Sequence, residues 1–185
     1  MSPIRLHRHT QGVSTMSKPL VLVFGSTGKT GTPVVGQLLD RGFPVRAVVH
    51  QLDDRSERLQ ALGAEIFVGD FLDLVSVRDA MRGVKRVYFC FPTQNDRLIE
   101  ATTNIAIAAR DEGVEAPVNM SQMPVREGAR SPLTHHHWLA ERIFDWAGVG
   151  ASHIRPTFFA ENLYCLNGKS ISAEGKMYLP FGEGK

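Results

Sequence analysis

The strongest constraint on the fold is a regular alternation, from residue 19 onward, between short apolar runs and stretches of helical periodicity. Six runs rich in β-branched and aromatic residues are predicted strands, at 19–24, 45–49, 64–69, 86–91, 116–120 and 151–155. Five helices are predicted between them, at 29–41, 55–62, 74–82, 96–112 and 134–147. Because this alternation is typical of βαβ units with right-handed crossovers, it predicts an α/β fold with a doubly wound parallel sheet of order 3-2-1-4-5-6.

The alternation divides the chain into a leader and one domain. No linker or repeat interrupts residues 19–185, which we therefore expect to form a single domain. Residues 1–18 lack the apolar core of a signal peptide and are expected to be a disordered leader. The first fifteen residues carry Arg5 and Arg8 and no acidic residue, and subtracting these two charges from the formal net charge of +2 leaves about zero.

The rest of the chain is close to neutral, which argues against nucleic acid as the primary ligand. The longest apolar runs, such as 87–91, are far too short to cross a bilayer, so no membrane partner is expected. Cys90 and Cys165 lie far apart without metal-ligand spacing and fit free thiols in a reducing compartment. We therefore predict a cytoplasmic protein in which neither cysteine belongs to a site.

A glycine-rich segment, GSTGKTG, links the first predicted strand to the first predicted helix. Its glycines, Gly25, Gly28 and Gly31, recur every three residues. Glycine allows a tight turn and a close approach of pyrophosphate, while the first helix amides face the anion. We therefore predict a dinucleotide-binding loop. A bulky residue in place of Gly28 would block the pyrophosphate and would need a backbone conformation that only glycine adopts easily. One alternative is a glycine-rich turn without a ligand.

The other alternative is a nucleoside-triphosphate loop. That motif needs a glycine at position 23, where this chain has Val23, and an aspartate at the end of a strand near 86–91, which this sequence lacks.

Five further segments extend the pattern: VRAVVH (45–50), LGAEIFVGDF (62–71), YFCFPTQ (88–94), HWLAERIFDWAGV (137–149) and IRPTFFAENL (154–163). Together with GSTGKTG they resemble the NmrA-like group of atypical short-chain dehydrogenases/reductases, over residues 19 to about 181. The resemblance implies an NAD(P)-binding Rossmann domain. It also implies one of two functions: a reductase of a quinone-like or other small electrophile, or a non-catalytic NAD(P)-sensing regulator.

The resemblance assigns cofactor-binding roles to residues at the carboxyl ends of the strands. The pyrophosphate would be held by the three glycines of the loop, Gly25, Gly28 and Gly31, and by the residues between them, Thr27, Lys29 and Thr30. Asp70 and Phe71 would flank the adenine, and Phe91 with Pro92 would line the nicotinamide ribose. For Asp70 the alternative is a residue that only ends a strand and begins a turn.

The choice between NAD(H) and NADP(H) depends on the end of the second strand, where a carboxylate favours the ribose hydroxyls and a cation favours a 2′-phosphate. His50 stands there, although the family often has arginine at the matching place. Three basic side chains lie on the same side or just beyond, Arg46, Arg55 and Arg58. Asp53 and Asp54 come a few residues too late for the usual carboxylate role. The charges therefore favour NADP(H).

The reaction site departs from the Tyr-dependent dehydrogenases, in which a tyrosine and a lysine four residues later share one helix face. Alignment on Glu141 places Leu133 and His137 at those positions, so the proton-donor pair is absent. The three tyrosines, Tyr88, Tyr164 and Tyr178, lie outside this helix. The resemblance makes His137 a ligand of the cofactor ribose or a proton donor; the alternative is a surface histidine.

Two neighbouring features complete the site predictions. Ser121, after the fifth strand, matches the dehydrogenase serine and is a second catalytic candidate, although it and Gln122 suit a turn equally well. The run of histidines at 135–137 is not a metal site, because consecutive helical residues diverge around the axis, and no metal is predicted.

The resemblance also implies that a C-terminal segment which closes the substrate cleft is truncated here. An apolar surface would then lack its cover, at Phe158, Phe159, Leu163 and Tyr164. Such a patch favours association, for instance as a homodimer, or marginal stability. The expected partners are therefore a small-molecule substrate or a regulatory protein, with a homodimer as a further possibility.

Overall fold

A computed structural model describes residues 18–92, 97–162 and 173–176. Its strands are β1 (Val21–Val23), β2 (Val45–Val49), β3 (Glu65–Val68), β4 (Arg86–Phe89), β5 (Ala116–Met120) and β6 (Ser152–Ile154). Its helices are α1 (Gly31–Asp40), α2 (Asp54–Ala61), α3 (Leu74–Met81), α4 (Leu98–Asp111) and α5 (Pro132–Ala147). The strands form one parallel sheet ordered β3-β2-β1-β4-β5-β6, which confirms the predicted topology.

The sheet is covered on both faces, as a parallel sheet requires. Alternate residues of β1 point to opposite faces, so Leu22 joins the core beneath α3, α4 and α5. Val21 and Val23 instead join the core beneath α1 and α2, where Val35 and Leu59 are also buried. Because β1 is buried on both faces, its sequence is a continuous apolar run rather than an alternating one.

Four helices end in left-handed glycines. The glycines that follow α1, α2, α4 and α5 have positive φ, at Gly42, Gly63, Gly113 and Gly148. No helix in the described ranges combines the length and apolar character needed to cross a membrane. The predicted leader falls almost wholly outside the described residues, as do Cys165, Leu163 and Tyr164.

The strands β1 and β4 are shorter than predicted at their carboxyl ends. The amide of Phe24 still donates to the carbonyl of Tyr88 over 2.8 Å, but the chain then turns at Gly25, whose φ is +69°. The strand order reverses between β1 and β4, and in such sheets ligands bind at the carboxyl ends of the strands at this point. The early strand ends therefore open a crevice between the loops after β1 and β4.

Candidate functional site

The glycine-rich loop packs tightly against its own backbone and against the end of β4. A Cβ atom added at Gly25 would lie 2.5 Å from the carbonyl oxygen of Cys90, and one at Gly31 would lie 2.0 Å from the carbonyl oxygen of Gly25. Gly28 is exposed, has no positive φ, and would place a Cβ 3.1 Å from that same Gly25 oxygen. The expectation that the backbone at Gly28 excludes larger residues is therefore wrong, because the left-handed conformation belongs to Gly25.

Two hydroxyl groups that sequence reasoning missed hold the loop in shape. Ser26 is fully buried and donates to the carbonyl of Val48 over 2.7 Å, which ties the loop to β2. Thr32 donates to the carbonyl of Ser26 over 3.0 Å. In the sequence, these two residues look like ordinary polar members of a glycine-rich segment. Their roles become visible only in the structure, where their hydroxyl groups contact the backbone of β2 and of the loop.

The N-terminus of α1 remains open toward the crevice. Thr30 is the N-cap residue but makes no side-chain cap, because its hydroxyl donates to the sulfur of Cys90 over 3.3 Å. In α2, by contrast, the side chain of Asp53 accepts hydrogen bonds from the amides of Arg55 and Ser56. Because the amide of Thr32 already donates to the carbonyl of Gly28 and Pro33 has no N–H, α1 presents chiefly the positive end of its dipole to the crevice, an arrangement suited to an anion such as pyrophosphate.

A small cavity of about 210 Å³ lies on the β2 side of the loop. It is lined by Thr27 from the loop and by five residues at and after the end of β2, namely Val49, His50, Gln51, Asp53 and Arg55. His50 and Arg55 therefore share one cavity, whereas Arg58 does not line it. Asp53 also lines it, although the sequence placed this carboxylate a few residues too late for the usual contact with the ribose, and whether it makes that contact stays a prediction.

Within this cavity Asp53 and Arg55 form a close ion pair. The distances from Asp53 Oδ2 to Arg55 Nε and Nη2 are 2.9 and 2.6 Å. The guanidinium of Arg55 and the amide of Ser56 hold the pKa of Asp53 below its ordinary value, so the carboxylate is ionised at neutral pH. The cavity thus presents both a carboxylate and a cation.

A larger cavity of about 630 Å³ lies on the opposite side of the loop, between the ends of β4, β5 and β6 and the start of α5. Its wall is mostly apolar, with Phe91, Met120, Met123, Leu133, Phe158 and Phe159 among its residues. Its polar groups include Thr30, Ser121, Gln122, His137 and Asn162. Such an apolar cleft with few polar groups is typical of a site for a flat organic ligand.

Several predicted residues therefore meet in this cavity. Ser121 and His137, the two catalytic candidates, line one wall with Leu133, which holds the place of the dehydrogenase tyrosine. Cys90 also lines the cavity, so the expectation that it lies apart from any site is wrong. The roles assigned to these residues stay predictions.

Glu141 determines how Ser121 presents its hydroxyl. Glu141 is fully buried; it accepts a hydrogen bond from Ser121 Oγ over 2.7 Å and two from Arg155, over 2.9 and 2.5 Å. Burial alone would raise the pKa of Glu141, but the hydrogen bonds from Arg155 and Ser121 outweigh it and hold the pKa below its ordinary value. Because the ionised carboxylate can only accept, the hydroxyl of Ser121 donates its hydrogen bond to Glu141 and offers lone pairs to the cavity.

His137 lies one helical turn before Glu141 and is 5% exposed. Burial lowers the pKa of this imidazole more strongly than the negative charge of Glu141 raises it. His137 is therefore mainly neutral at pH 7 and carries one N–H donor and one acceptor nitrogen. Its Nδ1 has no hydrogen-bond partner in the part of the chain that the structure describes.

Tyr88 lies in β4, and its hydroxyl is buried near Thr30 and Cys90 rather than among the residues that line the large cavity. Burial raises the pKa of Tyr88, so the phenol stays protonated. Tyr164 and Tyr178 fall outside the described residues.

The residues predicted at the adenine and the nicotinamide ribose differ in position. Asp70 accepts a hydrogen bond from the amide of Leu72 over 2.9 Å, as a turn residue would, and lines neither cavity. The ring of Phe71 packs edge-on against Phe91, with centroids 5.5 Å apart. Pro92 is exposed and outside the lining of the large cavity. The cofactor contacts of Asp70, Phe71 and Pro92 stay predictions.

Side chains that could bind a metal do not cluster. Among residues 18–92, 97–162 and 173–176, no three histidine, cysteine or acidic side chains are close enough to hold an ion. The ring of His135 instead stacks on Trp138, with centroids 5.9 Å apart.

Comparison with known proteins places this architecture in a family. The NAD(P)H azoreductase of Xenophilus azovorans is 29% identical over 170 residues, which are 90% of this chain and 57% of that protein. The fold matches an NADPH-dependent quinone oxidoreductase from Escherichia coli, complexed with NADPH, with a TM-score of 0.72 and 19% identity over 83% of this chain and 54% of that one. It also matches NmrA, a negative transcriptional regulator in complex with NADP, with a TM-score of 0.68 and 20% identity over 76% and 45% of the two chains.

The chain thus spans about half the length of these relatives. The model of the NmrA-like family matches residues 17–181, nearly the whole sequence. This chain belongs to the NmrA-like family.

Proposed function

We propose that this chain binds NADP(H) and reduces a quinone-like or other small, flat electrophile. One observation carries the proposal: Thr27 and Thr30, three residues apart in the glycine-rich loop, line two separate cavities on either side of it. A dinucleotide with its pyrophosphate on this loop would extend one end into each cavity.

The residues present fit such a cofactor. Gly25 and Gly31 form a cradle that a Cβ atom would fill, and the start of α1 directs the positive end of its dipole at the pyrophosphate. The small cavity supplies Arg55 and His50 for a 2′-phosphate, as NADP(H) requires. The large cavity, at about 630 Å³, has room for the nicotinamide ring and a flat acceptor beside it.

A bound reduced nicotinamide supplies a hydride, and the chain's own residues position the acceptor for it. The aromatic and aliphatic wall packs a flat ring and excludes water from one side of it. Ser121 accepts a hydrogen bond from the ligand, because its own O–H already donates to Glu141. His137, neutral and lining the same wall, donates its N–H to an oxygen or nitrogen that gains negative charge, or solvent supplies that proton.

The relatives support this class of acceptor. The azoreductase and the quinone oxidoreductase are named for electrophiles that are conjugated and flat.

The test measures oxidation of NADPH at saturating cofactor with a panel of quinones and azo dyes. We expect turnover with at least one class, and a fall in kcat of about tenfold for His137→Gln as a proton donor is lost. His136→Gln is the matched control, since His136 is adjacent but does not line the cavity. Saturation with NADPH and no turnover for any acceptor would overturn the reductase proposal.

A second candidate is a redox-sensing regulator, favoured by the absence of a Tyr–Lys pair at positions 133 and 137. Such a protein must respond differently to the two cofactor forms, because a ligand shifts an equilibrium only by its differential affinity. Hydrogen exchange with NADP⁺ and with NADPH measures this response. Identical protection and identical affinity for the two forms would exclude sensing.

A further inference from the structure

The small cavity contains an ion pair whose two charges suit different nucleotides. A cavity built only for a 2′-phosphate needs cations, and one built only for the ribose hydroxyls needs a carboxylate. This cavity holds Asp53 and Arg55 in contact, at 2.9 and 2.6 Å, together with Thr27 of the glycine-rich loop. Each charge is already engaged by the other, so neither type of nucleotide meets a fully available partner.

We propose that Asp53 sets the cofactor preference by competing with the 2′-phosphate for Arg55, so that the chain accepts both NADH and NADPH. This inference rests on the proposed dinucleotide binding. With NADPH, the guanidinium of Arg55 leaves Asp53 for the phosphate. With NADH, Arg55 stays on Asp53, whose carboxylate accepts the ribose hydroxyl through its remaining lone pairs.

The geometry of Asp53 allows its charge to be removed without removing its structural role. Its Oδ1 accepts the amides of Arg55 and Ser56 over 2.9 and 3.1 Å and caps α2, whereas its Oδ2 holds the guanidinium. Asparagine keeps the first oxygen and replaces the second by an amide group. Because asparagine is as good an N-cap as aspartate, Asp53→Asn should fold like the parent while releasing Arg55.

The matched control is the neighbouring carboxylate, Asp54. It is exposed in the first turn of α2 and does not line the cavity. Asp54→Asn changes the net charge by the same amount at the same helix end. Any difference between the two variants therefore reports on the cavity and not on long-range attraction of the cofactor.

Calorimetry with NADPH and NADH, at one pH and ionic strength, tests the proposal on the whole chain. Breaking an exposed ion pair is worth up to about fivefold, and removing a negative charge beside the phosphate adds to this. We therefore expect Asp53→Asn to bind NADPH about three- to tenfold more tightly and NADH more weakly than the parent, with Asp54→Asn within about twofold of the parent for both.

The complementary variant, Arg55→Gln, should weaken NADPH binding about tenfold and leave NADH binding nearly unchanged, with Arg58→Gln as its control. Equal NADPH-to-NADH affinity ratios in Asp53→Asn, Asp54→Asn and the parent would overturn the competition. A parent that binds neither dinucleotide would instead overturn the proposed function on which the competition depends.

Discussion

Replacing Gly28 by valine should abolish tight cofactor binding and leave the fold in place. Gly28 is exposed and has no positive φ, so valine meets no forbidden backbone conformation. Its Cβ would lie 3.1 Å from the carbonyl oxygen of Gly25, a contact that a shift of a few tenths of an ångström relieves. The two methyl groups would then project from the loop where the pyrophosphate approaches the backbone.

The expected size of the loss follows from the hydrogen bonds that the side chain would block. Each bond from an amide to a charged group contributes about 1.5–3 kcal/mol, so two of them amount to roughly 3 kcal/mol or more, about a hundredfold in affinity. Calorimetry with NADPH measures the affinity, and circular dichroism with urea unfolding measures the fold. Gly36→Val is the control, because Gly36 lies farther along α1 and a Cβ there has nothing within 4 Å.

Gly31→Ala should behave in the opposite way. Its Cβ would lie 2.0 Å from the Gly25 oxygen and 2.9 Å from the Cα of Ser26, and neither backbone atom can move alone. Such overpacking costs about 1–3 kcal/mol of unfolding free energy.

If Gly28→Val keeps its circular dichroism and binds NADPH within about threefold of the parent, the loop does not hold a pyrophosphate, and the proposed function fails with it.

Two further predictions concern the titratable groups beside the large cavity. Glu141→Gln should lower the unfolding free energy by about 2 kcal/mol at pH 7, since Arg155 loses its ionised partner but remains partly solvated. Because the pKa of Glu141 is lower in the folded protein than its ordinary value of 4.5, ionised Glu141 stabilises the fold above pH 4.5, and this contribution is lost as the pH falls through the pKa of the folded state. Urea unfolding at several pH values should therefore show a smaller difference in stability between the parent and Glu141→Gln in acid. For His137 the pKa is lowered below 6.5 by burial, so the unfolded chain gains a proton before the folded one and the parent should lose stability as the pH falls below 6.5. His137→Gln should lack this loss, and a parent-minus-variant difference that stays constant from pH 7.5 to 5 would contradict the buried neutral histidine.

The fold was largely predictable because its determinants are local. The bounds of β2 and β5 coincide with the predicted runs at 45–49 and 116–120, where β-branched and apolar residues begin and end sharply. The strand order followed from right-handed crossovers combined with the doubly wound arrangement typical of such βαβ units. The predicted ends of β1 and β4 were too late, since Phe24 and Phe91 are apolar and buried although they lie beyond the last residues of these strands.

The site was predictable only where it follows from strand ends. Ser121 follows β5 directly, so its place in the crevice could be inferred from the topology. The pairing of Glu141 with Arg155 joins α5 to the segment after β6, and no local pattern signals which distant cation meets a buried carboxylate. Asp53 was discounted by its distance along the chain from His50, but the turn before α2 brings it back to the cavity.

The three glycines of the loop look equivalent in the sequence, yet in the structure different constraints act at the three positions. Gly25 needs a positive φ and approaches the carbonyl of Cys90, and Gly31 approaches the carbonyl of Gly25, so the chain's own packing excludes a side chain at both. These contacts exist because β1 and β4 are neighbours at the reversal of strand order, whatever is bound there. Gly28 alone of the three is exposed and has no positive φ, and a Cβ there would meet only the carbonyl oxygen of Gly25, at 3.1 Å, so the chain's own packing constrains this position least. If the proposed dinucleotide binds here, it is the ligand that needs the bare backbone at Gly28, so substitution at Gly28 separates ligand binding from folding better than substitution at Gly25 or Gly31.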